Sequence, residues 1–180
     1  MKTVLLALLL ILMLDQTNDI IVWSNSRKLQ IEDFKCVPQT YSRHSASSFV
    51  GITSTIEPVY MGWKLTVYAY FDKSKSWIKT NEISSQLLGH EQCHFDLMQE
   101  GALQTLIEVG KLRNKPDVRN EMRRIADSIS ERYDQIQSLY DFETNYSQNV
   151  SEQSRWEEQT KFKIDSLSSI LVNTDYVIVK

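Results

Sequence analysis

Glycine and proline are scarce in this chain, with five and three among 180 residues. So few turn formers argue against a loop-rich sandwich and for long helices. There are only two cysteines, Cys36 and Cys93, too few for a disulfide-stapled scaffold. Export would permit one bridge between them, although Cys93 reads better as a small buried helix residue. Positive charge is not in surplus: 20 lysines and arginines face 23 acidic residues, for a net charge of −3. Nothing here points to nucleic acid. The composition gives no sign of disorder, internal repeat or low-complexity tract.

Long apolar runs are missing too, except for Val4–Leu14 behind Met1-Lys2. That run falls short of the roughly 20 residues that a membrane span needs. One early positive charge followed by a short apolar stretch fits a secretory signal peptide over residues 1–17. No Ala-x-Ala cleavage site follows, so an uncleaved N-terminal anchor is the alternative. No cysteine closely follows the run, which argues against a bacterial lipoprotein. The expectation is a secreted or periplasmic protein, tethered if the segment persists, with one domain over 18–180. No other membrane contact is expected, and the sequence does not set an oligomeric state.

Histidine is scarce as well, with three residues, yet two fall in Leu87-Leu88-Gly89-His90-Glu91-Gln92-Cys93-His94-Phe95-Asp96. His-Glu-x-x-His on a helix puts both imidazoles on one face, one turn apart. Both can reach one Zn²⁺ at about 2.0–2.1 Å. Glu91, beside the first of them, is placed to act as general base toward a water activated by the metal. Apolar flanks (Leu87, Leu88, Phe95, Leu97, Met98) predict a buried helix, in which histidines need partners.

Around this motif the chain reads as α+β. Strands are expected near Asp19–Trp23, Phe49–Ile56 and Lys64–Phe71, the last two forming a hairpin with Met61-Gly62 in its connection. Leu65, Val67, Ala69 and Phe71 should share one face. The motif helix should run from about Ile83, capped by Asn81 or Ser84, to Leu112, with Gly101 marking a close approach. A second helix is expected from Pro116 or Asp117 to about Leu139, with Met122, Ile125, Ile129, Tyr133 and Ile136 inward. A third should span Ser151 to Leu171, with Trp156, Phe162, Ile164, Leu167 and Leu171 inward. Asp175–Val179 reads as a strand or a tail. A small antiparallel sheet from the N-terminal half would then pack on three C-terminal helices.

Catalytic zinc takes three protein ligands and a water. The motif helix cannot supply the third. Asp96 and Glu100 lie about 200° and 240° round from His94, and Glu108 is about 21 Å further along the axis. The oxygen-rich Tyr140-Asp141-Phe142-Glu143-Thr144-Asn145-Tyr146 stretch stands out, and His44 is the remaining histidine. Asp141, Glu143, Tyr146 and His44 are the open candidates.

The chain resembles a bacterial family of predicted secreted zinc-dependent proteases, long known as a domain of unknown function. The shared residues are Trp23, Arg27-Lys28-Leu29, Asp33-Phe34-Lys35, Pro38, Gly51-Ile52, Phe71, Ser76-Trp77, the His90–Asp96 motif, Tyr140-Asp141, Thr144 and Trp156. The family usually has Gly at Cys36, Trp at Ile31 and His at Tyr146. The resemblance implies a zincin-like active-site helix and a site at His90, Glu91 and His94. If the family's His is its third ligand, it also implies that Tyr146 replaces it as a phenolate, whose pKa a metal would lower. A loop after the second helix would then fold back over the imidazoles, with Asp141 or Glu143 orienting a ligand.

The expected function is an exported zinc metallopeptidase with one zinc per chain and a peptide or protein substrate, with Lys64–Phe71 as the candidate edge for strand addition. The alternatives are a degraded zinc- or protein-binding module of the same fold and a metal-free envelope protein.

Overall fold

The computed structural model describes residues 19–39, 41–79, 81, 83–112 and 117–179. The signal-peptide or anchor segment expected over 1–17 lies outside the described residues. Six strands, one short 3₁₀ turn (Ile31–Asp33) and three helices follow in an α+β arrangement. The strands are β1 (Ile20–Val22), β2 (Ala46–Ser47), β3 (Val50–Val59), β4 (Gly62–Asp72), β5 (Trp77–Ile78) and β6 (Tyr176–Val179). The helices are α1 (Ser85–Gly110), α2 (Val118–Thr144) and α3 (Val150–Ile170).

Strands β3 and β4 form the expected antiparallel hairpin, in register from Val50↔Phe71 to Val59↔Gly62. The opposite edge of β4 takes β1 at Tyr70–Asp72 and β6 at Trp63–Thr66, both antiparallel. The chain end is therefore a strand. β4 is central, so Lys64–Phe71 cannot be the edge that accepts a substrate strand. Its alternation reported burial of one face, and a buried face says nothing about a free edge. Among the described residues the open edges belong to β3 on one side and to β1 and β6 on the other. Leu65, Val67, Ala69 and Phe71 are each almost fully buried, worth about 1.5–3 kcal/mol apiece for the larger side chains.

α1 lies on this face. Ala102, Leu106 and Val109 meet Leu65 and Val67, while Phe95 and Met98 meet Ala69 and Phe71. The Ser84 hydroxyl caps the helix, accepting from Leu87 N at 3.0 Å. The other side of α1 is covered as well: Cys93 and Leu97 pack with Tyr140 and Trp156 from α2 and α3. Gly101 allows that crowding, because a Cβ there would sit 2.6 Å from Ile52 Cδ1 and 2.8 Å from the Tyr133 ring. Both cysteines are free.

Two expectations need correction. Phe162 is 71% exposed, since Trp156, Thr160 and Ile164 carry the buried stripe of α3. And α2 does not stop near Leu139. Tyr140 and Thr144 extend its buried row by two further steps of four, and the helix ends only where Asn145 turns left-handed, at φ 47°.

Candidate metal centre

The extra turn of α2 is what builds the site. α1 and α2 run antiparallel in fixed register: Glu100 meets Tyr133, His94 meets Gln137, and His90 meets Asp141. His90 Nε2 and His94 Nε2 are 3.2 Å apart, and Asp141 Oδ1 lies 3.1 Å from the first and 3.0 Å from the second. These three are the group among the described histidine, cysteine, aspartate and glutamate side chains whose donor atoms converge closely enough to hold a metal. The edges of a tetrahedral zinc site with bonds near 2.05 Å are about 3.3 Å long. The observed triangle is within a few tenths of an ångström of that, and all three residues line the cavity.

Gln137 adds an independent indication. Its Nε2 donates to the His94 carbonyl at 2.8 Å, which fixes the amide so that Oε1 faces His94 Nδ1. An amide oxygen only accepts, so Nδ1 must carry the proton. A neutral His94 then aims the lone pair of Nε2 at the Asp141 carboxylate and the second imidazole. Such an arrangement calls for a cation, either a metal or an added proton. The same demand appears in the ionisation equilibria. Burial would push the Asp141 carboxyl up, but the two imidazoles outweigh it and hold the group far below the usual carboxylate range. Burial would likewise depress His94, but Asp141, Glu91 and Gln137 together raise it. His90 Nδ1 is buried without a partner among the described residues, and the ring is held by stacking on Tyr140 at 4.6 Å.

Glu91 is 3% exposed and accepts a 2.5 Å hydrogen bond from Ser48 Oγ. Ser48 sits between β2 and β3 and is anchored from below. Phe49 N donates to Ser76 Oγ at 2.8 Å, and Ser76 Oγ donates to the Asp72 carbonyl at 2.7 Å. The N-terminal segment clamps the far side of α1. Trp23 Nε1 donates to Asp96 at 2.6 Å, and Leu29 N to Gln92 Oε1 at 2.8 Å. Asp96 therefore points away from the site, as helix geometry required. Glu100 also points away, buried against Tyr133 and Lys163.

Of the four open candidates, Asp141 places an oxygen at ligand spacing. It does so from the helix itself, not from a loop folding back. Glu143 is engaged elsewhere, accepting from Trp156 Nε1 at 2.8 Å and pairing with Arg155 at 2.7 Å. Tyr146 and His44 both line the cavity above the triad and touch each other, ring centroids 4.5 Å apart. Tyr146 is held there with φ 52° and its N–H on the Asp141 carbonyl at 2.9 Å.

The cavity has a volume of about 540 Å³. His90, Glu91, His94 and Asp141 face it, with Ser45–Ser48 and Val50 forming a wall. Ser48 and Gln137 were not foreseen. Ser48 sits in an undistinguished polar loop. Gln137 had a signal, since it lies four residues before Asp141 and shares its face once α2 is allowed to continue. No family model, no curated protein and no solved structure matches the chain.

Proposed function

We propose that this protein is an exported zinc-dependent peptidase with a zincin-like active-site helix. The observation that carries the reading is the triangle of His90 Nε2, His94 Nε2 and Asp141 Oδ1, with Glu91 beside it in one cavity. These residues fit a zinc ion, and the Gln137-imposed tautomer of His94 leaves its Nε2 lone pair available for ligation. Zinc bound there would act as a Lewis acid toward a peptide carbonyl and a water molecule. Glu91 takes the proton from the attacking water and returns it to the leaving amine. Ser48 orients the carboxylate by holding Oε2, which leaves Oε1 for that transfer. Gln137 positions His94, as hydrogen-bond partners of ligating imidazoles commonly do. The open edge of β3 offers an extended peptide backbone groups to pair with. Export rests on the apolar run at Val4–Leu14.

The test is Glu91→Gln in zinc-loaded protein. Zinc stoichiometry should stay near one per chain while peptide hydrolysis falls by about 10²–10⁴-fold. Unchanged turnover would remove Glu91 as the base. Wild-type protein that binds zinc but hydrolyses no peptide would favour the binding-module reading.

A further inference from the structure

The antiparallel register of α1 and α2 continues past the metal triad. Stepping four residues along α1 moves the partner on α2 back by about four: His90 with Asp141, then His94 with Gln137. The next step pairs Met98 with Asp134, and both line the same cavity, with Val50 of β3 also on its wall. This step lies about 5–6 Å, one helical turn, beyond the His94–Gln137 pair. Its floor is apolar, because Met98 is buried. Asp134 is exposed, and its carboxylate forms no ion pair among the described residues. Among the described residues no lysine or arginine lines the cavity.

We propose that Met98, Val50 and Asp134 form a specificity subsite for a lysine or arginine side chain of the substrate, one helical turn from the metal. The aliphatic stem would lie over Met98 and Val50, leaving the cationic head to reach Asp134 at the rim. Long basic side chains distribute themselves between apolar and polar surroundings in this way. Aspartate on an otherwise cation-free wall would also disfavour an acidic side chain at the same position. The inference rests on the peptidase reading and adds its substrate preference.

The experiment uses zinc-loaded full-length protein carrying Glu91→Gln, so that peptide is bound without turnover. The probes are fluorescent decapeptides in which lysine, glutamate or the uncharged norleucine occupies each position in turn. Anisotropy should show lysine favoured over norleucine at one position by about 1.4-fold to fivefold, the range of an exposed ion pair. The preference should shrink with salt, vanish in Asp134→Asn and give way to glutamate in Asp134→Lys. Equal binding of lysine and norleucine peptides at every position, or a preference untouched by Asp134→Asn, would overturn the subsite and leave the peptidase reading standing. If no peptide binds at millimolar concentration, the peptidase reading falls and the subsite with it.

Discussion

Replacing Asp141 with alanine separates the donor set found here from every other one the sequence allowed. Apparent zinc binding energies in four-ligand peptides run to roughly 10–16 kcal/mol, or about 2.5–4 kcal/mol per ligand. Asp141 contributes one donor of three, at 3.0 and 3.1 Å from the imidazole nitrogens. Its loss should therefore weaken zinc binding by about 10²–10³-fold. Thermal unfolding makes the effect visible. With zinc at a thousand times the wild-type Kd, binding stabilises the folded state by about 4.1 kcal/mol. In a domain of this size that raises Tm by about 8–16 °C. For Asp141→Ala at the same zinc concentration, the ratio of zinc to Kd falls to about 1–10. The stabilisation then drops to about 0.4–1.4 kcal/mol, or a few degrees.

The assay is chelator competition for Kd together with melting curves at fixed free zinc. Tyr146→Phe and His44→Ala should each change zinc affinity by less than about threefold, because Asp141 already supplies the oxygen that converges on the two imidazoles. The reasoning is refuted if Asp141→Ala binds zinc as tightly as wild type, and more pointedly if Tyr146→Phe takes the loss instead.

Two stability predictions follow from the scaffold. Gly101→Ala should destabilise by about 1–2 kcal/mol in urea melts: a Cβ 2.8 Å from the Tyr133 ring overpacks the core by more than the helix propensity of alanine returns. Asp72→Asn should cost about 1 kcal/mol at pH 7. Burial would raise the Asp72 carboxyl, but hydrogen bonds and charge from Ser74 and Lys75 outweigh it and hold the pKa below 3.8. A lowered pKa gives stability that is present above the unfolded value and lost as pH falls, so the gap between wild type and Asp72→Asn should close below about pH 3.8.

The sheet and the motif helix were legible because their signals are local. Alternation at Leu65, Val67, Ala69 and Phe71, the cap at Ser84 and the spacing of His90 and His94 depend on near neighbours alone. What could not be read was where α2 ends. Asp141, Thr144 and Asn145 are poor helix formers, and a local reading breaks the helix near Leu139. Burial decides otherwise: Tyr140 lies between His90, Trp156 and Cys93, and the contacts it makes there outweigh the weak propensity. A five-residue error in one helix end moved Asp141 from helix to loop. It also hid the face that Asp134, Gln137 and Asp141 share. Edge and centre of the sheet were illegible for a related reason, since strand order is set by chain ends far apart in sequence, such as β6 on β4.

On the proposed reading, two carboxylates face the cavity beside the two imidazoles and do different work. Asp141 comes from a neighbouring helix and lies between two imidazole nitrogens, which hold it ionised and fix it at ligand spacing. Glu91 shares a helix with those imidazoles but follows His90 by one residue, about 100° round the axis. It cannot join them on the same vertex. It is turned toward the strand side, where Ser48 holds one oxygen. A ligand must be rigid relative to its fellow ligands, and α1 and α2 provide that through the Tyr140 and Gln137 contacts. A base must be placed relative to the substrate, and an anchor on the wall that would carry the substrate provides that. The division of roles therefore follows from which packing layer grips each carboxylate: the helix pair for Asp141, the strand wall for Glu91.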